Sequence, residues 1–273
     1  MTDAKIDLEL AEIHTISFGR GKPLVLLPGF PFPASIFLLL EPYLAPNFAV
    51  TALDLPGWMG KSKFKTPDKK GVSDYVNILK ELLDKIYPDQ KINLCGVSAG
   101  GTLALLLAYS YPEKIDKIIV QSSPYCGRTV ENRFKKLYYM AKIANNYPIS
   151  AFLIKRLYKY ILYVQLHGII NRIALNQIEK EVKISFQNLD LHSAQFGIEY
   201  LKSDFTQYFK KIIHETVVIG CGKDDIVPAS LMKTLAFEIL PKAKYIEMKD
   251  LSHVALAENP KNFAKIILEN LSG

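Results

Sequence analysis

The sequence is poor in cysteine and has no hydrophobic run long enough to cross a membrane. Its 273 residues include three cysteines, Cys95, Cys126 and Cys221, which are widely spaced and form no Cys-x-x-Cys pair. This number and spacing argue against a disulfide framework and against a zinc site, so we predict a cytoplasmic location. The long apolar run at residues 102–108 is far shorter than the roughly 20 residues of a membrane-spanning helix.

Motifs for cofactors and nucleic acids are also missing. We find no metal-ligand cluster, no phosphate-binding glycine loop and no dinucleotide fingerprint, so the sequence predicts neither a metal ion nor a cofactor. No zinc-finger, ribonucleoprotein or basic-zipper signature accompanies the net charge of +7, which argues against a nucleic-acid partner. Apolar residues make up 49% of the chain and charged residues 22%, a composition that excludes a disordered chain.

The positive charge is concentrated in the middle of the chain. Residues 124–211 contain 14 Lys and Arg against 6 Asp and Glu, whereas the rest of the chain is close to neutral. Two interpretations stay open for this basic segment. It is either a solvated helical surface or a surface that attracts anionic substrates or the anionic face of a membrane.

Strands alternate with helices on both sides of this segment. Residues 6–18 have the apolar alternation of an antiparallel hairpin, and short apolar runs predict buried strands at 24–27, 48–53, 91–95, 116–121, 215–220 and 244–248. Helices are predicted at 34–44, 72–86, 229–239 and 260–271, and from the end of the fifth strand to about residue 111. This alternation predicts an α/β fold with a mostly parallel, eight-stranded sheet flanked by helices.

The basic segment interrupts the alternation and has no strand pattern, so we predict helices there. The simplest organisation is a core domain formed by residues 1–123 and 212–273, with a helical cap of residues 124–211 inserted after the sixth strand. The aromatic residues of the cap, Tyr125 among them, either line an apolar substrate pocket or pack the cap onto the core.

Ser98 is the strongest candidate for a chemical role. It lies in the sequence Gly96-Val97-Ser98-Ala99-Gly100, between a predicted buried strand and a predicted helix. Two glycines at this spacing permit a tight turn that exposes the serine at the carboxyl edge of the sheet, above a helix N-terminus that stabilises negative charge. The pattern therefore predicts a serine nucleophile.

A serine hydroxyl needs a general base, and that base needs an orienting acid. Among the five histidines, His253 alone follows the last predicted strand, on the same sheet edge as Ser98. The loop after the preceding strand contains two candidate acids, Asp224 and Asp225. The order along the chain is then Ser, Asp, His, with the choice between the two aspartates open.

Four motifs together resemble the α/β-hydrolase superfamily, in its branch of capped esterases, haloperoxidases and C–C hydrolases. They are residues 27–30 (Leu-Pro-Gly-Phe), 54–57 (Asp-Leu-Pro-Gly), 96–100, and 222–228 with 251–253. The resemblance covers about two thirds of the chain. It implies that Asp224 is the acid of a Ser98–His253 triad and that Asp225 faces solvent or enters the next helix.

The resemblance also implies an oxyanion hole formed by the backbone N–H groups of Phe30 and Ala99. The chain departs from the family pattern at Pro28, where a histidine usually precedes the glycine, and at Ser252, where glycine is common. The turn at residues 58–60 is one residue longer than usual. These departures leave the proposed triad intact.

Two residues near the second motif have two interpretations each. Asp54 is either a third carboxylate of the site or, more simply, a tether for the turn that follows it. Trp58, the single tryptophan, either forms a wall of the substrate pocket or anchors this turn by packing.

Cys95, next to the nucleophile turn, is interpreted as a buried strand residue.

These observations predict a cofactor-independent serine hydrolase that cleaves a carboxylic ester or a similar small acyl substrate with an apolar portion. An acyltransferase or C–C-bond hydrolase with the same triad is one alternative. A non-enzymatic binding protein that uses the basic cap is another. The resemblance disfavours an epoxide hydrolase or dehalogenase, because those relatives have aspartate at the position of Ser98.

Overall fold

The computed structural model describes residues 1–68, 70–132 and 190–272, together with Tyr139 and Asn188. Most of the predicted cap therefore lies outside the described residues, including its lysine-rich and tyrosine-rich part between 133 and 187. The helices and basic surface predicted for residues 133–187 lie outside the described residues and stay predictions. No helix in the described ranges is both long and apolar enough to cross a membrane.

A twisted sheet forms the centre of the molecule. Its strands are Thr2–Asp7 (β1), Ala11–Gly19 (β2), Lys22–Leu27 (β3), Phe48–Leu53 (β4), Lys63–Phe64 (β5), Ile92–Val97 (β6), Ile115–Gln121 (β7), Thr216–Cys221 (β8) and Ala243–Met248 (β9). Eight strands follow the order β1-β2-β4-β3-β6-β7-β8-β9, and β5 pairs with β2. Pairing is parallel from β4 through β9 along this order and antiparallel for β1, β2 and β5.

The mostly parallel α/β sheet is confirmed, but the predicted count of eight strands is wrong by one. The ninth strand, β5, has two residues, which is too short to produce an alternating hydrophobic pattern. Because β5 precedes the insertion, the predicted cap follows the seventh strand in chain order rather than the sixth.

Helices flank the sheet in the described parts of the chain. They are Glu41–Leu44 (α1), Val72–Ile86 (α2), Ala99–Ser110 (α3), Leu191–Lys202 (α4), Thr206–Phe209 (α5), Ala229–Thr234 (α6), Ala255–Glu258 (α7) and Pro260–Leu271 (α8), and a π-helical turn, Leu235–Ile239, extends α6. The predicted helix at 34–44 begins instead as a 3₁₀ helix, Ala34–Leu40. Pro42 has no N–H to donate to the carbonyl of Leu38, so a continuous α-helix is interrupted there.

Both faces of the sheet are buried. Successive strand residues point to opposite faces: Val25 and Leu27 pack with α2 and α3, whereas Leu24 and Leu26 pack with α8 and the 3₁₀ helix. This explains why β3 has a continuous apolar run rather than an alternating one. Because β6, β8 and β9 are parallel, the loops that follow them meet at one edge of the sheet, where α/β proteins place their sites.

Candidate active site

Ser98 occupies a sharp turn between β6 and α3. Its backbone has φ +52° and ψ −124°, which is an unusual conformation for a residue with a side chain. The two flanking glycines permit this turn: a Cβ on Gly96 would lie 2.5 Å from Cα of Gly101, and one on Gly100 would lie 2.3 Å from the carbonyl oxygen of Pro28. The sequence therefore folds into a turn that brings the Ser98 side chain to the edge of the sheet.

The structure brings Ser98, His253 and Asp224 into one line of contacts. Nε2 of His253 lies 3.1 Å from Oγ of Ser98, and Nδ1 of His253 lies 2.9 Å from Oδ2 of Asp224. The Asp224 carboxylate is fully buried, and the His253 side chain is 11% exposed. An ionised carboxylate only accepts hydrogen bonds, so Nδ1 of His253 is the donor and Nε2 is left to accept from the Ser98 hydroxyl.

Asp224 is held in place by the backbone of its own loop. Its Oδ1 accepts hydrogen bonds from the N–H groups of Ile226 at 2.9 Å and Val227 at 2.8 Å. Burial by itself raises the pKa of Asp224. The hydrogen bond and charge of His253, the Ser122 hydroxyl and the Val227 N–H lower that pKa by more, so the net shift is downward. Asp225, the alternative acid, is exposed to solvent.

The loop that carries His253 is tied to the helix that follows it. The Ser252 N–H donates to the Glu258 carboxylate at 2.8 Å, and the Ser252 hydroxyl donates to the same carboxylate at 2.5 Å. Ser252 was singled out in the sequence as a departure from the family pattern. Its hydroxyl thus has a partner, Glu258 in α7, that no motif in the sequence identifies.

The two predicted oxyanion donors both lie beside Ser98. Ala99 is the first residue of α3, and the loop that carries Phe30 passes so close that a Cβ on Gly29 would lie 3.2 Å from Cβ of Ser98. Among the described residues, neither the Phe30 N–H nor the Ala99 N–H donates to a protein acceptor. Two N–H groups are therefore available next to the serine.

The Phe30 loop is anchored without the histidine that Pro28 replaces. The Phe32 N–H donates to the Gly29 carbonyl at 2.7 Å, and the Met59 N–H donates to the Pro31 carbonyl at 2.9 Å. The second of these bonds links the Phe30 loop to the segment after β4, which contains the lengthened turn at residues 58–60. Backbone hydrogen bonds thus anchor the loop.

Asp54 lies away from the triad and acts as a tether. Its carboxylate accepts from the N–H of Ala34 at 2.6 Å, from the N–H of Lys61 at 2.7 Å and from Nδ1 of His14 at 2.7 Å. The prediction that Asp54 is a backbone tether is confirmed. The predicted partner, the turn at 55–57, is wrong, because the carboxylate binds Ala34, Lys61 and His14 instead. Its bonds close the larger loop from Asp54 to Lys61.

Trp58 and Tyr125, the two predicted pocket residues, differ in exposure. The Trp58 indole is fully buried, with ring centroids 5.2 Å from Phe30 and 5.3 Å from Phe196. It therefore packs against both rings. Phe196, which sequence reasoning missed, belongs to α4 in the predicted cap. Tyr125 lies after β7 and is half-buried. Its backbone carbonyl accepts a hydrogen bond from the N–H of Phe205 at 2.9 Å. Contact of either residue with a substrate stays a prediction.

Metal-binding geometry is absent from the part of the chain that the structure describes: no three His, Cys, Asp or Glu side chains there are grouped to hold an ion.

The sheet order and the Ser98 turn define the class of protein, an α/β-hydrolase-type fold. The family model for the alpha/beta hydrolase fold matches residues 22–260. The chain belongs to this family and is a hydrolase.

Relatives and solved structures agree with this class. A pimeloyl-[acyl-carrier protein] methyl ester esterase of Legionella pneumophila is 29% identical over 259 residues, which are 94% of this chain and 98% of that protein. A thermophilic esterase from Thermogutta terrifontis has a TM-score of 0.76 and 20% identity, with 98% of this chain and 97% of that chain covered. An enol-lactonase from Burkholderia xenovorans has a TM-score of 0.76 and 17% identity, with 99% and 100% covered. The chain is thus similar to esterases over nearly its full length and is an esterase-type hydrolase.

Proposed function

We propose that the chain is a serine esterase in which Ser98 is the nucleophile, His253 the general base and Asp224 the orienting acid. One observation carries this proposal, namely the unbroken line of contacts from Asp224 Oδ2 through the His253 ring to Ser98 Oγ, at 2.9 and 3.1 Å. Both distances lie within hydrogen-bond reach, which a nucleophile and its base require.

The reaction proceeds in two halves. Ser98 Oγ attacks the ester carbonyl while its proton passes to Nε2 of His253, and the buried Asp224 stabilises the imidazolium that forms. The imidazolium then gives this proton to the leaving alcohol, and an acyl-Ser98 intermediate remains. Water, activated by His253 in the same way, hydrolyses the intermediate and restores the serine.

The N–H groups of Phe30 and Ala99 are the proposed donors to the oxyanion. Their position beside Ser98 and their lack of acceptors among the described residues support this role. A donor already oriented toward the developing charge contributes about 10²-fold to 10³-fold in kcat. Because these donors belong to the backbone, side-chain substitution at either residue should leave them in place.

The substrate class follows from the surroundings of Phe30 and from the relatives. Phe30 is half-buried and packs 6.1 Å from Phe196 of α4, and the Asp190 N–H just before α4 donates to the Gly57 carbonyl at 3.0 Å. These contacts support a cap, residues 124–211, that covers the nucleophile and offers an apolar wall to the acyl or alcohol portion. Since a relative is named for cleaving a methyl ester, methyl esters of carboxylic acids are the first substrates to test.

A fluorophosphonate probe, which reacts with activated serines, tests the proposal. Wild type, Ser98→Ala and the control Ser110→Ala, at the exposed far end of α3, are compared for labelling and for methyl ester hydrolysis. We expect Ser98→Ala to lose both, and Ser110→Ala to keep both. Hydrolysis by Ser98→Ala within tenfold of wild type would contradict the proposal. The same assay with added alcohol separates hydrolysis from acyl transfer.

A further inference from the structure

Gln121 contacts the site without having been recognised in the sequence. It is the last residue of β7, and it pairs with Val97 of β6 on one side and Ile219 of β8 on the other. The strand that ends at Gln121 therefore lies between the strand before Ser98 and the strand before Asp224. The residue is fully buried.

The backbone of Gln121 contacts the nucleophile. Its carbonyl oxygen accepts a hydrogen bond from the N–H of Ser98 at 2.7 Å. This bond continues the β6–β7 pairing by one step beyond Val97, into the turn. Any residue at position 121 can make it, so a side-chain substitution leaves this contact with Ser98 unchanged.

The side chain of Gln121 contacts the loop of the general base. Its Nε2 donates to the backbone carbonyl of His253 at 3.1 Å and also to Oγ of Ser122. The Ser122 hydroxyl in turn is among the groups that stabilise the charged form of Asp224. One amide group thus bonds directly to the backbone of His253, and its second partner, Ser122, donates at 3.8 Å to Sγ of Cys221, the last residue of β8 before the Asp224 loop.

The His253 carbonyl has few other restraints. The loop before it is fixed by the Lys223 N–H, which donates to the Leu251 carbonyl at 2.9 Å, and by the bonds from Ser252 to Glu258. None of these bonds involves the His253 carbonyl. Among the described residues, its donor is Nε2 of Gln121. A small rotation of this peptide would move the imidazole relative to both Ser98 and Asp224.

We propose that Gln121 is a positioning residue, whose amide holds the backbone of His253 in register with Ser98 and Asp224. The inference rests on the proposed function of this triad. The amide is poorly suited to simple core packing, because no donor among the described residues reaches its buried Oε1 and an unpartnered buried oxygen opposes folding. Its contribution is therefore the set of hydrogen bonds that Nε2 donates, to the His253 carbonyl, to Oγ of Ser122 and, at 3.6 Å, to Sγ of Cys221.

The structure offers a matched control in Asn93, another buried amide of the central sheet. Asn93 lies toward the opposite end of β6, and its Nδ2 donates to a backbone carbonyl, that of Pro23, at 3.4 Å. Its Oδ1 is buried without a partner among the described residues, like Oε1 of Gln121. The substitutions Gln121→Met and Asn93→Leu each replace a buried amide with an apolar side chain of similar size, but only the first lies near His253.

The experiment measures kcat and KM for a methyl ester, the rate of fluorophosphonate labelling and the melting temperature of both variants. Misplacing a catalytic group by about 1 Å costs on the order of 10²-fold in rate. We expect Gln121→Met to lower kcat and the labelling rate by about 10-fold to 100-fold, with KM nearly unchanged. Asn93→Leu should change neither rate. The melting temperatures of Asn93→Leu and Gln121→Met should fall by similar amounts.

A second variant covers the case in which Gln121→Met does not fold. Gln121→Asn keeps an amide but withdraws it by one methylene, so it no longer reaches the His253 carbonyl, and the same fall in kcat without a change in KM is expected. Wild-type kcat in the folded Gln121 variants, or an equal loss of kcat in Asn93→Leu, would overturn the positioning role. Activity that survives in Ser98→Ala would instead overturn the proposed function, so the two failures are distinguishable.

Discussion

In the part of the chain that the structure describes, two histidine–aspartate pairs share the same geometry at the Nδ1 atom of the histidine and differ at its Nε2 atom. In the first pair, Nδ1 of His253 lies 2.9 Å from Oδ2 of Asp224; in the second, Nδ1 of His14 lies 2.7 Å from Oδ2 of Asp54. Each aspartate follows a parallel strand of the sheet, and each carboxylate also accepts two backbone N–H groups. The aspartate alone therefore does not make a histidine a general base.

The difference lies at the other ring nitrogen. Nε2 of His253 faces the hydroxyl of Ser98 at 3.1 Å, whereas Nε2 of His14 faces Oδ1 of Asp3 at 2.6 Å. A hydroxyl can give up a proton to an imidazole, whereas two flanking carboxylates favour the doubly protonated ring. Under the proposed function, the first pair moves a proton and the second holds one.

The electrostatics of His14 agree with this distinction. Burial by itself lowers the pKa of His14, but the hydrogen bond and charge of Asp54, together with the hydrogen bond to Asp3, raise it above the ordinary value of 6.5 despite the nearby charge of Lys61. The His14 ring contacts Asp3 and Asp54 and so links the N-terminal hairpin to the loop that Asp54 closes. That loop also contains Trp58, which packs against Phe30.

Replacing each histidine should separate the two pairs most strongly. His253→Gln should lower kcat by about 10⁴-fold to 10⁶-fold, because the base of the triad is removed, with little change in stability. His14→Gln should keep most of the activity of the folded enzyme but destabilise it by about 3 kcal/mol, because Asp54 is left buried without its cation. Steady-state kinetics and urea unfolding of both variants check this. Equal losses of activity would remove the distinction.

The aspartates sharpen the same comparison. Asp224→Asn should lower kcat by about 10⁴-fold, because an amide favours the wrong tautomer of His253. Asp225→Asn is its matched control, one residue away and exposed, and should stay within about twofold of wild type. If the two variants behaved the other way round in a hydrolysis assay, the acid would be Asp225.

The second pair should make stability depend on pH in a known direction. A pKa raised by folding contributes stability that is fully present below about 6.5 and is lost as pH rises through the raised pKa. The difference in melting temperature between wild type and His14→Gln should therefore shrink as pH rises from about 6.5 through the raised pKa of His14. A difference that stays constant from acid to alkaline pH would show that His14 does not act through its charge.

Among the variants expected to lower activity, Ser252→Gly should have the smallest effect. The change removes the hydroxyl bond to Glu258 but keeps the backbone N–H bond, so the His253 loop retains one of its two ties to α7. We expect a fall in kcat of about twofold to fivefold and a loss of about 1 kcal/mol of stability. A loss of kcat as large as that of Asp224→Asn would mean that the hydroxyl has a more direct role than holding the loop.

The sequence predicted the parts of the molecule that depend on short stretches of chain. Hydrophobic runs placed β4 and α2 at their observed bounds, and the glycines around Ser98 predicted its turn because their effect is local. The choice between Asp224 and Asp225 could not be made from residue types, since it depends on which carboxylate accepts from the N–H groups of Ile226 and Val227.

Outside the Ser98–Asp224–His253 group, contacts between distant parts of the chain could not be predicted. The sequence predicts Gln121 only as the last residue of a strand, and its bond to the His253 carbonyl joins residues 132 positions apart. His14 lies within the predicted hairpin at residues 6–18, and its bond to Asp54 could not be predicted because the two residues are 40 positions apart. Phe196 is one of many aromatic residues in its segment, and only the fold places it against Trp58.

The most direct test of the account follows a covalent adduct on Ser98. Wild type, His14→Gln and His253→Gln are exposed to the fluorophosphonate, and peptide mass spectrometry locates and quantifies the modified serine over time. The account predicts modification of Ser98 in wild type and in folded His14→Gln at similar rates, and a rate lower by several orders of magnitude in His253→Gln. Rapid modification in His253→Gln, or loss of modification in folded His14→Gln, would contradict the claim that the group facing Nε2 separates the catalytic pair from the structural one.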